Sequence, residues 1–305
     1  MRISNHVPDL SALDLLLSVI ELGSLGRAAQ AHGISQPSAS SRIRYLEQLV
    51  GAPVLHRTSL GSVPTATGGT IAALAQDVIS AAQRLDSGIT RIRADRDGHV
   101  QVAASQTVVE YLIPRWLKEL RARSPQTAVT LNACNSTDVG AAVAAGRANL
   151  GFVESPSLPP ELAGTTVARD ELLVVAPPQH PWGRRTAITI DELAAGTLLH
   201  REVGSGARTA FECAMQKHLP DWRPNALFEL SSTPAIKNAA VSGLAPAVLS
   251  SLAVARELKN GSLTAVTVSG LRMHRSLLAV WPVGQRLTGP ARDLCAIALR
   301  MRTAG

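Results

Sequence analysis

Ser24-Leu25-Gly26-Arg27-Ala28-Ala29-Gln30-Ala31-His32-Gly33-Ile34-Ser35-Gln36-Pro37-Ser38-Ala39-Ser40-Ser41-Arg42-Ile43-Arg44-Tyr45-Leu46-Glu47 reads as two capped helices joined by a tight turn. Ser24 suits the N-cap of a short helix. Ala28 and Ala29 then face inward, small enough for a second helix to cross close by. Gly33 supplies the stop, since the residue just past a helix end often needs a positive φ. Ser35 caps the next helix, with Pro37 in the first turn, where a missing N–H costs little. On that helix Ala39, Ile43, Leu46 and Val50 recur at helical spacing and form one apolar stripe facing the core.

The other side of the second helix carries Ser38, Ser41, Arg42 and Tyr45, with Gln36 exposed at its start. Hydroxyls, an amide and a guanidinium hydrogen-bond base edges and phosphates, and a recognition helix uses its N-terminal half to do so. A charged stripe alone would equally describe a solvated face. The alanine pair, the glycine turn and the Ser-Gln-Pro cap favour helix-turn-helix geometry instead.

Ser24, Ala28-Ala29, Ser35-Gln36-Pro37, Leu46-Glu47, Gly51, Pro53, Arg57 and Thr67-Gly68 together resemble the signature of LysR-type transcriptional regulators. The chain departs from that signature at Ser41, where the family usually has Arg, and at Leu55, where it usually has Phe. Arg42 and Arg44 are left as the cations of this helix. The resemblance implies a winged helix-turn-helix, a long linker helix and a two-lobed α/β effector domain like a periplasmic binding protein. It implies a DNA face built from Ser24, Ser35, Gln36, Pro37, Ser38, Ser41, Arg42, Tyr45 and Arg57.

Upstream, residues 11–22 suit a helix opened by Ser11 with Asp14 at the capping-box position; Leu13, Leu16, Leu17 and Ile20 form its core stripe. Downstream, Val54-Leu55-His56-Arg57 and Gly61-Ser62-Val63-Pro64 suit a two-stranded wing with a glycine-containing turn, from which Arg57 reaches a phosphate. From Thr67 to about Asp97, Ile71, Val78, Leu85 and Ile92 lie seven apart, and Ala75, Ala82 and Ile89 add a second row. That is a coiled-coil seam which one copy cannot bury by itself, so a homodimer is expected through it, and a homotetramer beyond that. A dimer sets two recognition helices on successive major grooves of double-stranded promoter DNA, matching a pseudo-palindromic site.

The whole chain of 305 residues has a net charge of +7, yet residues 1–98 hold nine Arg and no Lys against eight acidic residues. The excess there is only +1, so local placement of arginines rather than total charge argues for DNA. A hydrophobic content of 46% with 3% aromatics fits a globular core of Ala, Leu and Val. No apolar run approaches the roughly 20 residues needed to cross a bilayer, and Asp9, Asp14 and Glu21 interrupt the N-terminal stretch. A cytoplasmic protein without membrane attachment is expected. Cys134, Cys213 and Cys295 lie far apart, without Cys-x-x-Cys or histidine at ligand spacing, so neither disulfide nor metal site is expected.

From residue 99 short apolar runs alternate with helical stretches: 100–104, 129–132, 150–153, 172–176, 198–200, 245–249 and 277–281. Such alternation implies mostly parallel α/β sheets with ligands at strand carboxyl ends. The expected division is 1–66 for the winged helix-turn-helix, 67–98 for the linker helix and 99–305 for the effector region. Lobe one covers 99–176 and 266–305, and lobe two 177–265. Three loops after strands carry convergent polar groups. They are Ser105-Gln106-Thr107, Asn135-Ser136 with Thr137, and the stretch from His200 to Arg208 containing Arg201, Ser205 and Gly206, with Thr233 nearby. Hydroxyls at helix N-termini beside an arginine suit a small anion. Ser105, Asn135 and Ser205 each suit a second role as plain N-caps, and Arg201 suits pairing with Glu202 or Glu154.

Gly204-Ser205-Gly206 lacks the third glycine of a dinucleotide loop, Thr209 standing in its place. No Gly-x-Ser-x-Gly, Gly-Lys-Ser/Thr or His-Glu-x-x-His is present, so neither an enzyme nor a cofactor is expected. Two functions fit. One is an effector-responsive DNA-binding regulator; the alternative is a small-molecule binding protein whose N-terminal helices only dimerise it.

Overall fold

The structure, a computed structural model, describes residues 4, 6–58, 61–96 and 98–302. It divides into two compact units, Met1–Asp86 and Ser87–Gly305. The first opens with α1 (Leu10–Leu22), α2 (Leu25–Ala31) and α3 (Gln36–Val50). The cap of α1 is Asp9, not Ser11 as the sequence suggested: the Asp9 carboxylate accepts from the Ala12 N–H at 2.7 Å. Ser11 lies inside the first turn and donates its hydroxyl to Asp9 at 2.8 Å. That hydroxyl, then the Ala12 amide, hold the Asp9 carboxyl below its ordinary range. A full negative charge suits a helix N-terminus better than a hydroxyl, which is why the cap moved upstream. Ala12, Leu13, Leu15, Leu16 and Val19 are its buried face, with Leu17 and Ile20 only half-buried.

The other two caps lie where the sequence puts them. Ser24 Oγ accepts from the Arg27 N–H at 3.4 Å and Ser35 Oγ from the Ser38 N–H at 3.3 Å. Gly33 ends the turn with φ 63°. Helix α3 buries Ala39, Ile43 and Leu46 in one core with Leu13, Leu16 and Val19 of α1 and Ala28 and Ala29 of α2. Burying Ile43 and Leu46 contributes roughly 1.5–3 kcal/mol each, enough to fix which face of α3 points out. His32 Nε2 and Ser18 Oγ, 2.8 Å apart, tie the end of α2 to α1.

Strands β1 (Leu55–Thr58) and β2 (Gly61–Pro64) pair antiparallel from Leu55↔Pro64 to Thr58↔Gly61. The turn expected between them, residues 59–60, lies outside the described residues. The Ser62 N–H donates to Gly23 O at 3.0 Å, docking the hairpin on the end of α1. Helix α4 (Ala66–Arg96) follows. Ala75 and Ile79 join the first core, while Val78, Leu85 and Ile89 are exposed, Leu85 at 67%. Ile71 and Ala82 are half-buried; the side chain of Ile92 lies outside the described ones.

The second unit runs β3 (His99–Ser105), α5 (Gln106–Tyr111), α6 (Ile113–Arg123), β4 (Ala128–Cys134), α7 (Ser136–Ala144), β5 (Leu150–Val153) and β6 (Leu162–Ala176). It continues α8 (Ile190–Ala195), β7 (Leu198–Arg201), α9 (Gly206–Gln216), β8 (Ala226–Leu230), α10 (Thr233–Val241) and β9 (Ala247–Ser250). The chain ends α11 (Ser251–Asn260), β10 (Thr264–Val266), β11 (Met273–Pro282) and α12 (Gly289–Arg302). The sheet order is β4-β3-β5-β11-β6-β9-β7-β8, with β10 paired to β6.

This sheet is mixed rather than mostly parallel. β3 pairs parallel with β4 and β5, and β7 with β8 and β9. The two groups are joined through β6 and β11, which pair antiparallel from Met273↔Leu172 to Pro282↔Leu162. These long strands carry the chain from one lobe to the other and back, and two passes in opposite directions must be antiparallel. They are also longer than the runs 172–176 and 277–281 suggested, because polar residues interrupt their apolar pattern; β8 and β10 were not anticipated at all. Each lobe has its own core: Val100, Val102, Phe152 and Trp116 lead one, and Leu172, Phe211, Met215 and Leu193 lead another. Among the described residues no helix is long and apolar enough to cross a membrane.

Candidate functional site

Burial of Ala39, Ile43 and Leu46 leaves the opposite face of α3 outward. Ser35, Gln36, Pro37, Ser41, Arg44 and Tyr45 are exposed, and Ser24, Ser38 and Arg42 are half-buried. Gln36 lies over Gly26, where an added Cβ would come 3.9 Å from Gln36 Oε1. Arg57 is in β1, with its side chain outside the described ones. Polar donors, an amide and two guanidiniums therefore share one face beside the hairpin, the arrangement that an edge-reading helix requires.

The second group of candidates gathers where parallel strands end. Ser105 closes β3 in register with Cys134 of β4, and Asn135 and Glu154 follow β4 and β5 at the same sheet edge. The loop before α9 closes directly on this edge. Thr137 N–H donates to Gly204 O at 3.2 Å, and a Cβ on Gly206 would fall 2.6 Å from Ser136 Oγ and 2.7 Å from Glu154 Cγ. Only glycine permits that approach. Ser105 Oγ and Ser205 Oγ are both buried, at the starts of α5 and α9, and neither hydroxyl has a partner among the described residues. Buried hydroxyls without partners are uncommon and call for an acceptor or donor from elsewhere.

The other candidates already have roles. Asn135 Oδ1 caps α7 by accepting from the Asp138 N–H at 2.9 Å, and Ser136 Oγ accepts from the Glu154 N–H at 3.2 Å. Arg201 pairs with Glu202, Nε to Oε2 at 2.8 Å, and donates to Thr233 Oγ1 at 3.0 Å; of the two carboxylates weighed for it, Glu154 is engaged elsewhere. Gln106 is half-buried beside Thr107, which is buried. Arg208 links Glu212, Glu229 and the Arg201 carbonyl.

Sequence reasoning missed the charged centre beneath these groups. Arg275 of β11 is 7% exposed and lies opposite Asp170 of β6 in the strand register. Its Nε donates to Asp170 Oδ2 at 2.8 Å, its Nη1 lies 2.6 Å from Glu154 Oε2, and its Nη2 donates to Thr107 Oγ1 at 3.4 Å. The Glu154 contact is a close ion pair out of line for a hydrogen bond. Asp170 Oδ1 also accepts from Ser250 at 2.9 Å and Ser251 at 3.1 Å. Ser250, at the end of β9 in lobe two, is thereby connected through Asp170 and Arg275 to Glu154 and Thr107 in lobe one. The short strand run 150–153 just before Glu154 was legible; a pair 105 residues apart left no local signal.

The half-buried Cys134 and the buried Cys295 offer no reactive centre of their own. Burial raises both Cys134 and Cys295, the latter to about 11, which keeps them protonated and poorly nucleophilic. Burial, and next the charge of Arg208, lower His200 below its ordinary value, so its imidazole beside Phe211 is neutral.

Residues 10–69 match the family described as "Bacterial regulatory helix-turn-helix protein, lysR family", and residues 93–302 match "LysR substrate binding domain". An uncharacterised HTH-type transcriptional regulator of Mycobacterium tuberculosis is 38% identical over 304 residues, covering 96% of this chain and 97% of the relative. The regulatory domain of Synechocystis CcmR, solved in complex with 2-PG, superposes with TM-score 0.61 at 24% identity, covering 67% of this chain and 97% of that one. Full-length CbnR in complex with its target DNA superposes with TM-score 0.51 at 18% identity over 96% of this chain and 99% of that one. An outward polar helix on a winged scaffold, a mixed two-lobed sheet and these matches over nearly the whole length lead to one conclusion: the chain belongs to the LysR family and is a transcriptional regulator with an effector-binding domain, not an enzyme.

Proposed function

We propose that residues 1–66 read a pseudo-palindromic promoter site through Gln36, Ser38, Ser41, Arg42 and Tyr45, with Ser24, Ser35, Pro37 and Arg57 setting the helix on the phosphates. Residues 67–98 pair two copies: exposed Val78, Leu85 and Ile89 on α4 are a stripe that a second α4 would bury, and two such dimers make a tetramer. The working compartment is the cytoplasm, where the DNA is. Residues 99–305 take a small anionic effector between lobe one (99–176 and 266–305) and lobe two (177–265), at Ser105, Gln106, Thr107, Asn135, Ser136, Arg201, Ser205, Gly206 and Thr233.

The observation that carries the effector reading is the pair of buried, unpartnered hydroxyls of Ser105 and Ser205 at helix starts. Hydroxyls donate to an anion, and the free N–H groups and positive end of α9, eleven residues long, favour negative charge at the same place. An effector held there touches both lobes and prefers one arrangement of them. Coupling to DNA then needs only that the two arrangements place the paired DNA heads differently.

A panel of small carboxylates and phosphates, with 2-PG as the first probe, tests this by thermal shift on the full chain. At least one is expected to raise the unfolding midpoint. Joint Ser105→Ala and Ser205→Ala substitution should weaken its binding about a hundredfold or more, two hydrogen bonds to a charged group being removed at about 1.5–3 kcal/mol each. An anion that binds the double variant as tightly as the parent would overturn the assignment. A bound anion that leaves the DNA footprint unchanged would overturn the coupling.

A further inference from the structure

Beside β6, the second unit holds a cavity of about 620 Å³. Its floor is apolar: Leu112 and Trp116 from the α5–α6 corner, Val167 and Ala168 from β6, Leu252 from α11 and Met301 from α12. Three arginines complete the lining, Arg115 on α6, Arg169 on β6 and Arg302 on α12, and none of the lining residues is acidic. Arg302 Nη1 donates to the Thr166 carbonyl at 2.8 Å, which holds its guanidinium at the rim. Among the described residues neither Arg115 nor Arg169 has a carboxylate partner, although Arg201, Arg208 and Arg275 of the same unit all do.

The placement is local strand chemistry. Successive residues of a strand point to opposite faces. Asp170 is buried against Arg275 in the charged centre, while its neighbour Arg169 is exposed. The cavity shares no lining residue with the effector cleft, so the two are distinct. Three like charges around one apolar basin repel each other unless something neutralises them, and a guanidinium fork matches a carboxylate or sulfonate in two parallel bonds. The size lies within the range of small-molecule sites, which are apolar with a few placed polar groups.

We infer that this cavity is a second binding site, for an amphipathic small anion: an aromatic or short aliphatic body over Trp116, Leu112 and Met301, and an acidic group on Arg115, Arg169 and Arg302. Trp116, whose ring centroid is 5.0 Å from that of Phe152, supplies a built-in optical reporter.

The test titrates the full-length protein with 1-naphthoate and, in parallel, with its uncharged counterpart 1-naphthamide, following tryptophan emission and heat. Saturable binding of naphthoate is expected, about tenfold or more tighter than the amide, since charge-assisted bonds are the stronger ones. Arg115→Gln with Arg169→Gln, both at exposed positions without an ion-pair partner among the described residues, should weaken naphthoate binding at least about tenfold while the unfolding midpoint stays put. Ser105→Ala with Ser205→Ala should leave naphthoate affinity within about twofold, because neither serine lines the cavity. Equal binding of acid and amide, unchanged binding by the arginine variant, loss that follows the serine variant instead, or no saturable binding in the millimolar range would each overturn the inference.

Discussion

Replacing Gln36 and Arg42 together by alanine is expected to lower affinity for the promoter site by about two orders of magnitude, since each good base-edge contact is worth roughly 1–3 kcal/mol. Neither side chain belongs to the core of α3, which rests on Ala39, Ile43 and Leu46, and the Ser35 cap is untouched. The unfolding midpoint should therefore stay within the small range of surface substitutions. Weak, salt-sensitive binding to arbitrary duplex should persist through the remaining phosphate contacts. Mobility shift with promoter and unrelated duplexes checks both halves. Unchanged promoter affinity would point to the other function the sequence admits, a small-molecule binder whose N-terminal helices only dimerise it.

Arg275→Met should be the most damaging single change in the effector region. It leaves Glu154 and Asp170 buried without a counter-charge, with side chains 1% and 0% exposed. Breaking a buried pair from one side costs about 3–5 kcal/mol, which in a unit of this size lowers the midpoint on the order of 10 °C. Removing the stranded charges as well, by Glu154→Gln and Asp170→Asn in the same background, should restore most of the loss, because the penalty is the unpaired charge and not the missing guanidinium. Calorimetry of the single and triple variants checks this. A single variant within about 0.5 kcal/mol of the parent would mean that water reaches the cluster.

The helix-turn-helix was legible because its determinants are local. Caps at Ser24 and Ser35, the stop at Gly33 and the stripe Ala39-Ile43-Leu46 lie within a few residues of what they fix, and the structure keeps all of them. Ser11 misled for an equally local reason: two capping candidates stood two residues apart, and the charged one took the helix end. The effector region was legible by alternation but not by pairing. β6 runs through Thr165, Thr166, Arg169 and Asp170, residues that resemble a loop in one dimension and acquire partners only when β11 arrives about a hundred residues later. The polar loops around Ser105, Ser136 and Ser205 were found because helix starts after strands are sequence features. The charged centre joining them was not, since Arg275 gains its meaning from Asp170 and Glu154 together.

Binding to the chain's own upstream DNA is the most direct check on the claim that α3 enters a DNA groove. Fluorescence anisotropy of the full-length protein should be measured at two salt concentrations with a duplex from that region and with a scrambled duplex of equal composition. The expected result is a preference for the native duplex of about a thousandfold or more, persisting as salt weakens both. Equal affinity for the two duplexes at both salts would contradict it.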